Sequence, residues 1–201
     1  MEETMLNEPD MSYGNYTYAD YLKWTIQERF EIIKGKLFKM SPAPSTHHQR
    51  VSQVVNKRLL YYLDDKPCEV FTAPFDVRLP RTSKNDHHIL TVLQPDICVV
   101  CDPAKIDERG CIGAPDIVVE ILSPGNNKKE LHNKYEVYEE AGVKEYWIIH
   151  PSEQTFFRYI LDAQGRFQPQ RMLTIGNEVT TDVLPGFVLD LNEVFAERQS
   201  S

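Results

Sequence analysis

The chain reads as a mixed α/β fold, one mixed sheet flanked by helices with added hairpins, and three observations predict it. Ile97–Cys101 and Ile117–Leu122 are near-continuous apolar runs, as expected of central strands buried on both faces. Val51, Val54, Val55, Leu59 and Tyr62 recur at helical spacing, and the segment from Asn127 to Ala141 reads as a capped and glycine-stopped helix. Turn signals divide the remainder into short hairpin-like pieces.

Each element follows in order. Thr17 with Asp20 forms a capping box that opens a short helix through Tyr21, Leu22 and Trp24. Two apolar strands flank Lys34-Gly35, a hairpin signal. Ser41-Pro-Ala-Pro-Ser45 is a loop, and Ser45 caps the next helix. Val70–Thr72 and Asp76–Leu79 are extended and separated by Pro74, and residues 80–89 are a polar loop. Asn127 caps a helix that Gly142 stops. Lys144–His150 is a strand. Residues 155–161 and 166–173 bracket Asp162-Ala-Gln-Gly165 as a hairpin, and Leu191–Glu197 is a terminal helix. The economical division is a polar tail over 1–15, one domain over 16–195 and a short tail over 196–201.

Composition narrows the class. The chain has 201 residues, 41% hydrophobic and 26% charged, which excludes disordered and fibrous proteins. No apolar run reaches membrane-spanning length, and the acidic start MEETMLNEPD is no signal peptide. The expected compartment is the cytoplasm, and the four cysteines (68, 98, 101 and 111) are expected as free thiols. Cys98 and Cys101 lie three apart on a strand, so they point to opposite faces and do not share a metal.

Net charge is −8, which by itself argues against nucleic acid. The charge is unevenly distributed, however. The first twenty residues carry −5 and the last twenty −3, which leaves residues 21–181 neutral. Within them, residues 31–58 carry Lys34, Lys36, Lys39, Arg50, Lys57 and Arg58 against Glu31. A basic segment in a neutral body is compatible with phosphate binding, and equally with a solvated face.

Two acids stand out of place. Asp96 follows Pro95 at the start of one apolar strand, and Glu120 interrupts Ile117-Val-Val-Glu-Ile-Leu122. A buried carboxylate is costly unless paired, hydrogen-bonded or bound to a cation. Two on neighbouring strands repel unless a cation joins them. Mg²⁺ is held by such oxygen donors together with water and substrate phosphate. The competing explanation is a structural ion pair between Glu120 and a nearby Lys or Arg.

Pro95-Asp96 followed 24 residues on by Glu120-Ile-Leu122 resembles the PD-(D/E)XK nuclease pattern. The wider set is similar to the Uma-type family of restriction-endonuclease-like proteins. It comprises Tyr-Leu-Lys-Trp24, Phe-Glu-Ile-Ile-Lys-Gly-Lys-Leu37, Ser-Pro-Ala-Pro-Ser45 with His48, and Gln-Pro-Asp-Ile97. Gly-Ala-Pro-Asp-Ile-Val-Val-Glu-Ile-Leu-Ser-Pro124, Lys134 with Tyr138, and Gly-Val-Lys-Glu-Tyr-Trp147 complete it. The resemblance spans residues 17–192. It implies a restriction-endonuclease-like fold, a homodimer, and an endonuclease that uses Mg²⁺ or Mn²⁺ to hydrolyse phosphodiester bonds in DNA.

On that resemblance Asp96, Glu120 and the backbone carbonyl of Ile121 hold the metal, and Glu31 is the additional upstream acid. A surface strand charge is the plain alternative for Glu31. The superfamily pattern places Lys two residues after the Glu, where this chain has Leu122. Lys134, on the following helix, is expected to fill that role, and Lys128 and Lys129 are phosphate contacts or plain surface. His48, in the first turn of its helix, is expected to touch phosphate or water. His87, His88, His132 and His150 read as surface, Asp116 as an ordinary exposed acid, and Tyr135 and Tyr138 as packing. Two alternatives stay open: a catalytically decayed, dimeric binding or scaffold protein, which Leu122 and the net charge favour, and an RNA-directed nuclease.

Overall fold

The computed structural model describes residues 14–25, 28–40, 44–123 and 128–196, with the side chains of the last stretch described from 131 onward. Both predicted tails for the most part, most of the 41–45 loop, the cap at Asn127 and the Lys128 and Lys129 side chains lie outside the described residues.

Local chemistry sets the first half. Thr17 caps α1 (Tyr18–Tyr21) through the reciprocal box with Asp20, and the helix ends before Trp24. In the hairpin β1 (Phe30–Ile33) and β2 (Lys36–Lys39), Lys34 and Gly35 both take positive φ, +51° and +78°. A Cβ on Gly35 would also lie 2.8 Å from the Gly14 carbonyl oxygen, so only glycine fits there. Ser45 caps α2 (Thr46–Leu63), its Oγ accepting the His48 N–H at 3.2 Å. The chain continues through β3 (Glu69–Thr72), β4 (Val77–Arg78), β5 (Val92–Leu93), β6 (Ile97–Val100), β7 (Ile106–Asp107) and β8 (Gly110–Ile112).

β9 (Ile117–Ile121) leads into α3 (Lys128–Ala141), which Gly142 ends with φ +87°. Then come β10 (Glu145–His150), β11 (Thr155–Leu161), β12 (Phe167–Pro169), β13 (Leu173–Thr174), β14 (Glu178–Thr180), β15 (Val188–Asp190) and α4 (Leu191–Val194).

The central sheet has the order β12-β11-β10-β9-β6-β3, with β13 also on β11. It is mixed: β9 and β10 run parallel across the α3 crossover, and β6 lies antiparallel to β9. β6 and β9 are therefore interior strands, as their apolar runs predict. A second sheet, β2-β1-β5-β4-β8-β7, gathers the hairpins, and β14 with β15 forms a small third one. The sequence predicts a single sheet. Strands of two or three residues show too little alternation to be read, and tertiary pairing creates them.

Strand alternation divides the core. Ile117, Val119 and Ile121 pack with Val51, Val55 and Leu59 of α2 and with the C-terminal Leu189 and Val194. Val118 and Leu122 pack on the other face with Val137 and Tyr138 of α3 and with Val77 and Leu93 of the second sheet. Glu120 has the parity of Val118 and Leu122, so it points toward α3. Leu122, at the motif lysine position, is part of this core.

Two cysteine expectations are corrected or refined. Cys68 and Cys101 form a disulfide, against the prediction of free thiols. The antiparallel β3–β6 register places them opposite each other with Cα atoms 3.9 Å apart, a pairing across 33 residues that spacing does not reveal. Cys98 and Cys111 are free and buried, and Cys98 lies on the α3 face while Cys101 packs on the α2 face.

Candidate active site

Four elements border one cleft of about 340 Å³, and a fifth reaches it through Lys134. β1 of the second sheet supplies Glu31. The residue just before β6 is Asp96, β9 supplies Glu120, α2 supplies His48 and α3 supplies Lys134. Residues spread over more than a hundred positions thus meet, and all five candidate side chains lie together.

Lys134 stands at the centre. Its Nζ lies 3.0 Å from Glu31 Oε2 and 3.1 Å from both oxygens of Glu120, with all three side chains at least nine-tenths buried. The Tyr138 hydroxyl, one helical turn further along α3, donates to Glu120 Oε1 at 2.9 Å. Glu31 Oε1 accepts the Gln94 backbone N–H at 2.9 Å. Glu31 is therefore a buried member of the cluster rather than a surface strand charge.

Two carboxylates around one ammonium leave an excess negative charge in a dry place. Burial, with Glu31 and Asp96 nearby, pushes Glu120 up to about 8 against the pull of Lys134. Burial disfavours the Lys134 cation, yet Glu120 and Glu31 outweigh it and hold its pKa well above the ordinary lysine value. Burial and the Glu120 charge likewise raise the Tyr138 phenol, which stays a donor.

Asp96 is the more open acid, its side chain 24% exposed. Its Oδ2 accepts the Ile121 N–H at 2.7 Å and its Oδ1 lies 3.2 Å from His48 Nε2. His48 is buried, and its Nδ1 has no partner among the described residues. The imidazole thus meets Asp96 rather than standing free at the helix start. The Leu122 N–H reaches β10, so by strand alternation the Ile121 backbone faces the Asp96 side.

These acids have protein partners that account for their burial, beside the divalent ion the sequence leads one to expect. The Lys134 ammonium and Tyr138 hydroxyl satisfy Glu120, and a backbone N–H and an imidazole satisfy Asp96. The structural ion pair therefore exists, and it is Lys134 that makes it. The donor chemistry still suits a hard cation, since Asp96, Glu120 and the Ile121 backbone are oxygen donors bordering one cleft. As arranged, no three His, Cys, Asp or Glu side chains converge at ligating spacing among the described residues. A cation there would share Glu120 with Lys134.

Two residues of the site, Gln94 and Arg29, have no role that the sequence assigns, although Gln94 opens the Gln-Pro-Asp-Ile97 motif. Gln94 is a hub: its backbone holds Glu31, its amide donates to Asp76 Oδ1 at 2.8 Å and to the Tyr21 hydroxyl, and its Oε1 accepts from the Arg29 guanidinium. Arg29 borders the cleft and has a neutral partner, with no carboxylate partner among the described residues. The only available sign was the position of Gln94 two residues before Asp96.

Other expectations also change. Asp116 is buried rather than exposed: it accepts the Cys101 N–H at 2.7 Å and pairs with Lys144 at 2.7 Å. Tyr138 packs and also donates to Glu120, whereas Tyr135 packs against Tyr159 and Phe167. His87, His88 and His132 are exposed, and His150 is half-buried.

A family model described as "Uma2: Putative restriction endonuclease" matches residues 18–192. The chain belongs to that family. A solved structure from Anabaena variabilis ATCC 29413, titled "a putative nuclease belonging to DUF820", superposes with a TM-score of 0.68 at 21% identity. That match covers 90% of this chain and 97% of the other, and it establishes the fold. "Uncharacterized protein slr1290" of Synechocystis sp. is 24% identical over 134 residues, and the chain spans 66% of its length. The Uma2 match and the superposition bear out the α/β fold with its mixed central sheet. No described helix is long and apolar enough to cross a membrane.

Proposed function

We propose that this Uma2-family protein is a metal-dependent endonuclease that hydrolyses phosphodiester bonds in DNA. The observation that carries this reading is the convergence of Asp96, Glu120 and Lys134 on one cleft, with Glu31 buried behind Lys134 and the Arg29 side chain on the cleft wall. Asp96, Glu120 and the Ile121 carbonyl would hold Mg²⁺ or Mn²⁺, with Glu31 completing the set. Such an ion lowers the pKa of bound water and stabilises charge on the scissile phosphate.

The chain's own groups do the rest. Lys134 stays cationic and stands where Leu122 supplies no charge, so it can hold the attacking water or a phosphate oxygen. His48 and the Ile121 N–H fix the two Asp96 oxygens. Arg29, oriented by Gln94 and without an acidic partner among the described residues, is placed to take a phosphate oxygen of the substrate.

A second reading, a non-catalytic binding protein on the same fold, draws support from the saturation of Glu120 by Lys134 and Tyr138. One experiment separates the two. Plasmid DNA and RNA are incubated with protein in Mg²⁺, in Mn²⁺ and in chelator, while Mn²⁺ binding is followed by calorimetry. The nuclease reading expects metal-dependent cutting and Mn²⁺ uptake. Both are lost in Asp96→Ala and Glu120→Gln, and Arg29→Ala raises KM about tenfold or more, the scale of one charged hydrogen bond. Inert wild type that takes up no Mn²⁺ leaves the binding protein.

A further inference from the structure

The cleft has a second wall that the catalytic reading does not use. Helix α2 lays Gln49, Ser52, Gln53 and Asn56 along it, at spacings of three and four residues that form a single stripe beside His48. Gln49 and Gln53 are exposed, and Ser52 and Asn56 half-buried. No side-chain hydrogen bond ties any of the four to another described residue. The stripe spans about 10 Å at 1.5 Å per residue, roughly three stacked bases.

Neutral amides and hydroxyls are poor phosphate ligands beside cations, but they match base edges. An amide offers a donor and an acceptor side by side, the pattern that pairs with the adenine edge. The next face of the same helix carries Arg50 and Lys57, both exposed, beside a second cleft that Gln53 also lines. Neither cation has an acidic partner among the described residues, whereas nearby Arg58 is paired with Glu193. Two such cations on a chain of net charge −8 mark a local attraction for a polyanion.

The geometry points to α2 as the element that reads the substrate: Gln49, Gln53 and Asn56 contact base edges, Arg50 and Lys57 hold the flanking phosphates, and the strand thereby enters the acid cleft in a fixed register. This rests on the nuclease reading above and adds its source of sequence preference. Base contacts specify and phosphate contacts position, so the two sets of residues have separable effects.

The test uses the full chain with labelled 20-mer DNA duplexes, single strands and RNA. Anisotropy in chelator gives affinity across a salt series, and mapped cutting of a long fragment in Mn²⁺ gives preference. Arg50→Ala/Lys57→Ala is expected to weaken binding to every sequence alike and to flatten the salt dependence on duplex DNA by roughly 1.8 in log–log slope, two phosphates' worth. Gln49→Ala/Gln53→Ala/Asn56→Ala is expected to redistribute the cutting positions and to erase roughly tenfold of discrimination per amide at adenine-bearing sites. A charge-matched control remote from α2, Lys84→Ala/Arg171→Ala, should leave both readouts unchanged.

If wild type cuts and the amide variant cuts at the same positions with the same preference, the inference is overturned and the nuclease reading stands. It is equally overturned if the Arg50/Lys57 variant loses no more than the control, or if the amide variant changes only the oligomeric state. Wild type that binds neither DNA nor RNA removes both readings together.

Discussion

Glu120 and Glu145 are buried acids on adjacent parallel strands, and they are satisfied in opposite ways. Glu120 faces α3, meets an ammonium and a phenol, and borders an open cleft. Glu145 faces the other side of the sheet, where it is 1% exposed and its partners are neutral: the Trp147 indole N–H at 2.9 Å and the Thr181 hydroxyl at 2.7 Å. Glu145 closes a sealed core and touches no described cleft. A buried carboxylate is therefore not by itself a mark of chemistry. What separates the two is the cation, the second acid across it and the route to solvent.

The strongest way to break this comparison is to remove the cation. Lys134→Met leaves Glu31 and Glu120 buried without a counter-charge and should cost about 3–5 kcal/mol in urea unfolding. A loss under about 1 kcal/mol would mean the two acids share a proton and do not need Lys134.

The pH dependence sharpens it. Glu120 has a folded pKa raised to about 8 from an ordinary 4.5, so the folded protein binds the extra proton between these values. Stability from this group then falls as pH rises through that window, by at most about 1.4 kcal/mol per pH unit. Lys134, raised well above its ordinary value, stays charged throughout and adds no slope there. Glu120→Gln should therefore gain stability relative to wild type between about pH 5 and pH 8, measured by thermal melts. A constant difference across that range would refute the shift.

The smallest effect belongs to the sealed acid. Glu145→Gln keeps one acceptor and presents an amide donor to a donor, which should cost about 1 kcal/mol. Cutting should be unaffected. Loss of cutting at unchanged stability would place Glu145 in the site and erase the distinction.

Much of the fold was legible because its signals are local. The Thr17–Asp20 box, the Lys34-Gly35 turn, the Ser45 cap and the Gly142 stop each act within a few residues. The apolar runs of β6 and β9 identify interior strands. The candidate acids were visible because a charge in such a run is conspicuous. Glu145 was not, since it stands at the edge of its strand, and Arg29 lies outside any periodic segment.

By itself, the sequence determined the longer helices and central strands, the faces they bury and the misplaced carboxylates, because propensity, capping and periodicity act over a turn or a strand. Only the tertiary structure decided that Lys134 meets Glu31 across 103 residues, that Cys68 lies opposite Cys101, and that scattered two-residue strands build a second sheet. Those contacts depend on which surfaces pack together, and the energy of burying a charge is settled only once its neighbours in space are fixed.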